Sequence, residues 1–357
     1  MTGIEFRVVA YLYCGYALLL FATFIMAVRR GFASRRRKRA SALLRPQIRE
    51  VLVDYLAGNH DLSRLKNFVR TSRTDTSETL LSFQSMVSGS ALDQLCELTL
   101  DLTLAHEWCQ QARLKDATVR RAAFLRLAFI SGFEPCRRVA GELLEGALED
   151  PDPEVRLSAS RGLLKTGDIQ DVERVFEQAI SYNLMIRVLL TEDLRRYAIP
   201  LCEGLIPRIV ESKEKPRILA TLDILTAWER AIPFSALAVL LDDRDRDIRL
   251  RSIALAPMVP YSAEIRNGIM QALSDDDLDI RLAAVRSAAR LKLGESVHML
   301  AHCLRNGPIQ LARAAAAALV SLPPSGWTTL EELARSSNSM TASEARAALE
   351  RARQVGA

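Results

Sequence analysis

Alternating aspartates form the most suggestive metal-binding pattern in this sequence. They occupy every second position of two stretches, Asp243–Asp247 and Asp275–Asp279. A calcium loop of the EF-hand type, which opens in this way, needs a glycine at its sixth position for a sharp turn and a glutamate at its twelfth. The first stretch has Ile248 and Ala254 at those positions, and the second has Ile280 at its sixth. We therefore predict that neither stretch binds calcium.

A pair of histidines provides a second possible metal site. His298 and His302 are four residues apart and Glu295 precedes them by about one turn, so one helix face would present all three side chains. The zinc-binding pattern His-Glu-x-x-His is absent, and no second group of ligands accompanies the pair in the sequence. We interpret both residues as solvent-facing histidines and predict no bound metal.

The short motifs of common enzyme classes are also missing from the sequence. It contains no nucleophile elbow, no phosphate-binding glycine loop and no dinucleotide-binding fingerprint. None of the cysteines forms a Cys-x-x-Cys pair, which argues against a zinc or redox site. We therefore predict that the protein is not an enzyme and that it binds no cofactor.

An arginine recurs in steps of 30 to 36 residues over two thirds of the chain, which indicates an internal repeat. Similar segments surround each copy, for example EDPDPEVRLSASRGLL and SDDDLDIRLAAVRSAARL. The repeat arginines are Arg120, Arg156, Arg187, Arg217, Arg249, Arg281, Arg313 and Arg346.

An aspartate four residues before the arginine predicts a helix start in the clearest units, because its side chain can accept hydrogen bonds from the first backbone N–H groups. Pro153 stands at a first helical position, where its missing N–H costs nothing. Small residues such as Ala159 and Ala284 follow the arginine by three positions and allow close helix packing. A second apolar stretch precedes each acidic loop, so the predicted unit is helix, loop, helix. The capping aspartates are Asp116, Asp152, Asp245 and Asp277.

This pattern resembles the bacterial HEAT-like repeat family that includes the phycobilisome-lyase type. The resemblance covers about residues 112–357 and is strong at Asp150–Leu164, Asp242–Leu255 and Asp275–Leu291. It is weak at Asn183–Leu194 and Glu214–Leu225, where the acidic loop is missing. It implies an all-α fold in which about eight antiparallel helix pairs stack as an α-solenoid. It also implies that loop aspartates pair with repeat arginines of adjacent units, so we interpret these arginines as structural and not catalytic.

Residues 46–111 lack the repeat motif but have the pattern of helices. We predict that they form an N-terminal cap and spacer, with helices over Pro46–Ala57, Leu62–Val69, Thr79–Val87 and Ala91–Gln111. The Ser/Thr-rich stretch Thr71–Ser77 is predicted to break the helical pattern.

The first residues of the chain have the composition of a membrane anchor. The segment 8–28 contains no charge and no proline, and as a helix it would be about 31 Å long, close to the thickness of a bilayer core. Basic residues follow it at once, which argues against a cleaved signal peptide and predicts a cytoplasmic C-terminal side. The predicted organisation is a short extracytoplasmic N-terminus 1–7, a transmembrane helix 8–28, a basic linker 29–45, the helical cap 46–111 and repeats over 112–357.

Most of the positive charge of the chain lies beside this segment. The net charge is +5, of which +8 belongs to residues 1–50, and the remainder of the chain therefore sums to −3. We predict that the basic run binds anionic lipid headgroups, whereas the net charge of the repeats argues against nucleic acid. The residues of the run are Arg29, Arg30, Arg35, Arg36, Arg37, Lys38 and Arg39.

Together these patterns predict a single-pass protein of the bacterial inner membrane with a cytoplasmic solenoid. Its predicted function is that of a non-catalytic scaffold or adaptor, which positions protein partners in a membrane-associated complex such as a glycosyltransferase or secretion assembly. Two alternatives are a nucleic-acid-binding HEAT-like protein and a chromophore-handling enzyme of the phycobilisome-lyase type.

Overall fold

Helices account for all the regular secondary structure of the described residues, which confirms the predicted all-α class for that part of the chain. The structure, a computed structural model, describes residues 16, 21, 23–26, 39–59, 61–84, 86–182, 184–228, 235–336 and 339–355. The chain is divided between Thr166 and Gly167 into two compact units. This boundary lies inside the segment 112–357, in which we predicted the repeats.

The first unit contains the helices α1 to α8. Helix α1 covers 39–56, and a 3-10 turn, Ala147–Glu149, leads from α7 into the loop before α8. The others are α2 (Leu62–Thr71), α3 (Arg73–Phe83), α4 (Ser90–Asp101), α5 (Leu104–Ala112), α6 (Ala117–Ile130), α7 (Glu134–Gly146) and α8 (Pro153–Thr166).

The second unit contains the helices α9 to α21, among which α10, α13, α15, α17, α19 and α21 each carry one repeat arginine. The helices are α9 (Ile169–Ser181), α10 (Leu184–Leu194), α11 (Ala198–Glu203), α12 (Leu205–Glu211), α13 (Lys215–Ala227), α14 (Leu237–Leu240), α15 (Arg246–Leu255), α16 (Ala263–Ala272), α17 (Leu278–Arg290), α18 (Val297–Asn306), α19 (Ile309–Val320), α20 (Ser325–Leu333) and α21 (Ser339–Val355).

Several helix boundaries in the first unit differ from the sequence-based prediction. The predicted helix Thr79–Val87 is the second half of α3 and ends at Phe83, and α1 begins before the predicted start at Pro46. The predicted break at Thr71–Ser77 is mostly helical, because the hydroxyl of Ser72 accepts a hydrogen bond from the backbone N–H of Asp75 (3.3 Å) and so caps α3. The predicted helix Ala91–Gln111 is two helices, since Thr103 has a φ of +58° and ends the helical path between α4 and α5.

Helices α6 and α8 approach each other closely in the first unit. A Cβ atom at Gly162 of α8 would lie 3.1 Å from the Cα of Ala128 in α6, a contact so tight that a larger residue would have to displace its neighbours. The hydroxyl of Ser131 donates a hydrogen bond of 2.8 Å to the carbonyl oxygen of Gly162 and joins the same two helices. The small residue therefore fixes the distance between neighbouring repeats.

Neighbouring repeats of the second unit pack through their arginine-bearing helices. Helices α13, α15, α17, α19 and α21 contact one another in succession, while α14 packs on α16 and α18 on α20. The indole of Trp228 is completely buried, lies 6.4 Å from the ring of Phe176 and donates a 2.8 Å hydrogen bond to the carbonyl oxygen of Thr191. Each unit is thus a set of helical repeats with an apolar interior.

Among the described residues, no helix combines the length and the apolar character needed to cross a bilayer. A span needs about 20 consecutive apolar residues in one helix. This finding contradicts the prediction of a single-pass inner-membrane protein, which is corrected accordingly. Of the segment 8–28 the structure describes residues 16, 21 and 23–26, and the basic residues 29–38 lie outside the described residues.

Candidate protein-interaction surface

Each acidic loop of the clearest repeats folds around two aspartates. In all three such loops the carboxylate of the first aspartate accepts a 2.8 Å hydrogen bond from the backbone N–H of the second. The second aspartate then caps the following helix by accepting from one or two backbone N–H groups of its first turn. The pairs are Asp150 and Asp152, Asp243 and Asp245, and Asp275 and Asp277. Asp116 caps α6 in the same way.

The repeat arginine closes the same loop from inside the helix. The Nη1 atom of Arg281 donates to the carbonyl oxygens of Asp275 (2.6 Å) and Asp276 (2.9 Å). Arg156 and Arg249 bind the two equivalent loop carbonyls at distances of 2.6 to 3.2 Å. These hydrogen bonds attach two carbonyl oxygens of the loop to the first turns of the helix that follows it. The repeat arginine thus fixes the conformation of the loop, while the carboxylates of the loop aspartates bind backbone N–H groups of the protein.

Several repeat arginines also reach an acid of a neighbouring repeat. Arg120 forms a two-pronged pair with Asp150, with its closest approach at 2.8 Å and both side chains mostly buried. The other pairs are Arg187 with Asp223 (3.5 Å), Arg249 with Asp275 (3.4 Å), Arg313 with Glu344 (3.2 Å) and Arg217 with Glu177.

Arg281 and Arg346 form no ion pair within the described residues, where their hydrogen bonds go to backbone carbonyls. Arg346 donates to the carbonyl oxygen of Ala334 (2.9 Å). The loop position that would face Arg281 from the next repeat is Gly307, which offers no carboxylate. The absence of an acid at that position explains why Arg281 binds only its own loop.

A second set of ion pairs connects the capping aspartates to the preceding repeat. The basic residues of these pairs are not the repeat arginines, and the sequence-based prediction did not include them. Lys215 lies 2.6 Å from Asp245, Arg246 lies 2.6 Å from Asp277, and Arg121 lies 2.7 Å from Asp152. Hydrogen bonds from these cations hold the pKa of all three aspartates below the usual value. The sequence signal was a basic residue 30 or 31 positions before each of these capping aspartates.

The side chains that the sequence offered as possible metal ligands do not form a metal site in the described residues. His298 and His302 are exposed on α18, and Glu295 lies 3.6 Å from Arg266. Within the described residues, no three ligand side chains are grouped to hold a metal. The one described member of the basic run, Arg39, is exposed at the start of the described part of α1.

The described cysteines are buried thiols. Burial raises the pKa of Cys96 and Cys202 to about 12 and that of Cys136 to about 11. Burial also raises the pKa of Cys109 and Cys303. A thiol with such a pKa is almost entirely protonated at neutral pH, so these side chains belong to the core.

The most unusual surface of the second unit is an exposed apolar stripe on α10 and α11. Four of its residues lie on α10 opposite the buried face, which includes Ile186, Leu190 and Leu194, and the fifth is exposed on α11. We call it the α10 stripe; it consists of Leu184 (68% exposed), Met185 (75%), Val188 (62%), Leu189 (40%) and Ile199 (58%).

Other repeats have polar or partly buried residues where the stripe has exposed apolar ones. Met185 precedes its repeat arginine by two positions, where Asp247 and Asp279 accept ion pairs from Lys215 and Arg246. Val188 follows its arginine by one position, where Leu157, Leu250 and Leu282 are partly buried. Helix α10 therefore exposes apolar area where the other repeats form ion pairs or pack on a neighbour.

An exposed group of large apolar side chains on a folded protein marks a site of association. Full burial of one leucine, valine or methionine side chain contributes about 1.5 to 3 kcal/mol, and the stripe offers several at helical spacing. The stripe was not predicted, because the segment NLMIRVLLTEDL is interpreted only as a weak repeat. The available signal was the first two turns of this helix, in which apolar residues lie on more than one face.

Comparison with known proteins identifies no family for the chain. No family model matches it, and no curated protein matches it. The coarse prediction of helical repeats is retained, whereas the finer resemblance to the phycobilisome-lyase type has no support from a family model.

Three solved structures are similar to the chain at low sequence identity. Human deoxyhypusine hydroxylase in complex with glycerol is 13% identical, with 88% of this chain and 99% of that chain covered and a TM-score of 0.31. The Escherichia coli protein YibA is 16% identical over 85% of this chain and 96% of its own, with a TM-score of 0.34. An engineered protein is 17% identical over 81% of each chain, with a TM-score of 0.28.

The prediction that the protein is not an enzyme is corrected, because the absence of familiar catalytic motifs is not sufficient ground to exclude catalysis. One of the similar structures is a hydroxylase. Similarity at this level assigns no activity to the chain, and the account of the fold depends on the helices and contacts described above.

Proposed function

We propose that this protein is a scaffold whose helical repeats bind a protein partner at the α10 stripe. The observation that carries the proposal is the group of five large apolar side chains exposed on α10 and α11. A helical-repeat protein is suited to this role, because each repeat contacts mainly its neighbours and the outer helix faces can change without loss of the core.

The surrounding repeats support the proposal by contrast. Where the stripe has Met185, other repeats have acids that form ion pairs with the protein itself. An exposed methionine is flexible and polarizable and packs well against irregular apolar surfaces of a partner. An amphipathic helix with apolar residues at positions i, i+3 and i+4 would match the spacing of Met185, Val188 and Leu189.

A HEAT-like origin of the repeats is part of our proposal, supported by the recurring Asp and Arg positions. The expected glycosyltransferase or secretion assembly depended on the membrane anchor and is not carried further. Lipid binding by the basic run between Arg29 and Arg39 stays a prediction.

Charge introduced into the stripe should prevent binding without unfolding the protein. We propose the double variant Met185→Glu/Val188→Glu, because both side chains are mostly exposed, and the control Ile309→Glu, which changes an apolar residue of similar exposure (53%) at the start of α19. The measurement is cross-linking in the expressing cells followed by quantitative mass spectrometry of the purified protein. A protein recovered in stoichiometric amount with the wild type and the control, and lost with the double variant, is the expected result.

The same experiment can refute the proposal. Equal recovery of every partner with the double variant would show that the stripe is not the binding surface, provided that circular dichroism gives the same melting temperature for all three proteins.

A further inference from the structure

A cleft of about 530 Å³ lies in the second unit between α14 and the start of α16. Its apolar wall includes Val259, Pro260 and Ile265, and Ala238 of α14 faces the same space. Val259 and Ile265 are buried, so this wall is part of the core and is held in place by it. The cleft is separate from the α10 stripe, and its properties do not depend on the proposed function.

Tyr261 and Glu264 give this cleft a specific chemistry. The Tyr261 ring is 57% exposed and lines the cleft together with the Glu264 side chain. Within the described residues, Glu264 has no cation at ion-pair distance, whereas many other acids of the two units have one. Hydrogen bonds from its own backbone N–H and from Ser262 lower the pKa of Glu264, so the carboxylate is ionised at neutral pH.

An aromatic face and a carboxylate in one apolar cleft are complementary to a flat cation. The guanidinium of an arginine stacks on tyrosine rings and can bind a carboxylate through two N–H groups at once, while its methylene stem packs against apolar walls. We propose that the cleft formed by Val259, Pro260, Tyr261, Glu264 and Ile265 is a recognition site for an arginine side chain of a protein or peptide partner.

The site can be tested with a small probe and its neutral isostere. N-acetyl-arginine amide is titrated into the full chain labelled at isoleucine and valine methyl groups, and N-acetyl-citrulline amide serves as the control because it has the same shape without the charge. We expect saturable NMR shifts of the Ile265 and Val259 methyl groups with the arginine derivative. The citrulline derivative should bind about five-fold more weakly or worse, as the loss of an exposed charge pair implies.

Variants separate the two recognition elements. Glu264→Gln and Tyr261→Leu should each weaken binding of the arginine derivative about five-fold, whereas Glu331→Gln, an exposed glutamate on α20, should leave it unchanged. Equal binding of arginine and citrulline derivatives, equal binding by Glu264→Gln and the wild type, or the absence of saturable shifts at Ile265 would each overturn the proposal. Equal affinity for N-acetyl-lysine amide would overturn the assignment to a guanidinium.

Discussion

Each capping aspartate of the clearest repeats uses one carboxylate for two contacts. In Asp152, one carboxylate oxygen accepts a hydrogen bond from a backbone N–H of its own helix. The other oxygen accepts a hydrogen bond from the Arg121 side chain of the preceding repeat. Helix start and repeat-to-repeat contact are therefore fixed by the same side chain. The acidic loops resemble the opening of a calcium loop. Their capping carboxylates, however, are bound to backbone N–H groups and to basic side chains of the protein itself.

The lowered pKa values of these aspartates predict a loss of stability in acid. Because Asp152 and Asp277 have a lower pKa in the folded than in the unfolded state, the unfolded state takes up protons first as the pH falls. Their contribution to the unfolding free energy is complete above about pH 4 and is lost as the pH falls through the folded pKa.

Urea unfolding between about pH 5 and pH 2 measures this effect. Asn caps a helix about as well as Asp, so the variant Asp152→Asn/Asp277→Asn removes the titration while it keeps the caps. The wild type should lose stability more steeply than the variant below about pH 4. Parallel pH profiles would contradict the assigned role of these two carboxylates.

The buried cysteines should be inert in the native state. Their raised pKa values and their burial deny a reagent both the thiolate and access to it. In a Cys14→Ser background, a maleimide at pH 8 should label the native protein much more slowly than free glutathione and should label all five described cysteines after denaturation. Rapid native labelling of any of them would refute this expectation.

At the scale of elements, close helix approach depends on Gly162. A valine at this position would collide with the backbone of Ala128 and with the Leu144 side chain. We expect Gly162→Val to lower the unfolding free energy by about 1 to 3 kcal/mol, as overpacking of a core does.

A glycine of the neighbouring helix provides the matched control. Gly141 of α7 has open space around its Cα, so Gly141→Ala adds a methyl group without a clash and should be neutral or slightly stabilising. Chemical denaturation of both variants measures the difference, and an equal effect of the two substitutions would contradict the proposed packing constraint.

The sequence predicted helix starts better than it predicted helix ends and surfaces. Asp116, Asp245 and Asp277 have a side chain that caps, and such a residue signals its position locally. The division between α4 and α5 at Thr103 has no such signal, because a non-glycine residue adopts a positive φ there. The α10 stripe was missed for another reason, since exposure depends on what a helix packs against in three dimensions.

At the scale of the whole molecule, stability should be local to each unit. Repeats contact mainly their neighbours, so damage to one set of repeats need not open the others. In Gly162→Val, amides of 117–166 should exchange hydrogen faster, while amides of α15, α17 and α19 should keep the wild-type rates. Mass spectrometry of peptic fragments measures these exchange rates. If the amides of both regions exchanged equally faster than in the wild type, the chain would unfold as one cooperative body.

The claim that most needs testing is that the α10 stripe holds a protein partner. The most direct measurement places the photoreactive residue p-benzoylphenylalanine at Val188 or, as a control, at Ile309, and illuminates the cells that express each variant. We predict one discrete adduct with another protein from position 188 and none of that size from position 309. An identical pattern from both positions, or no adduct from position 188, would contradict the account.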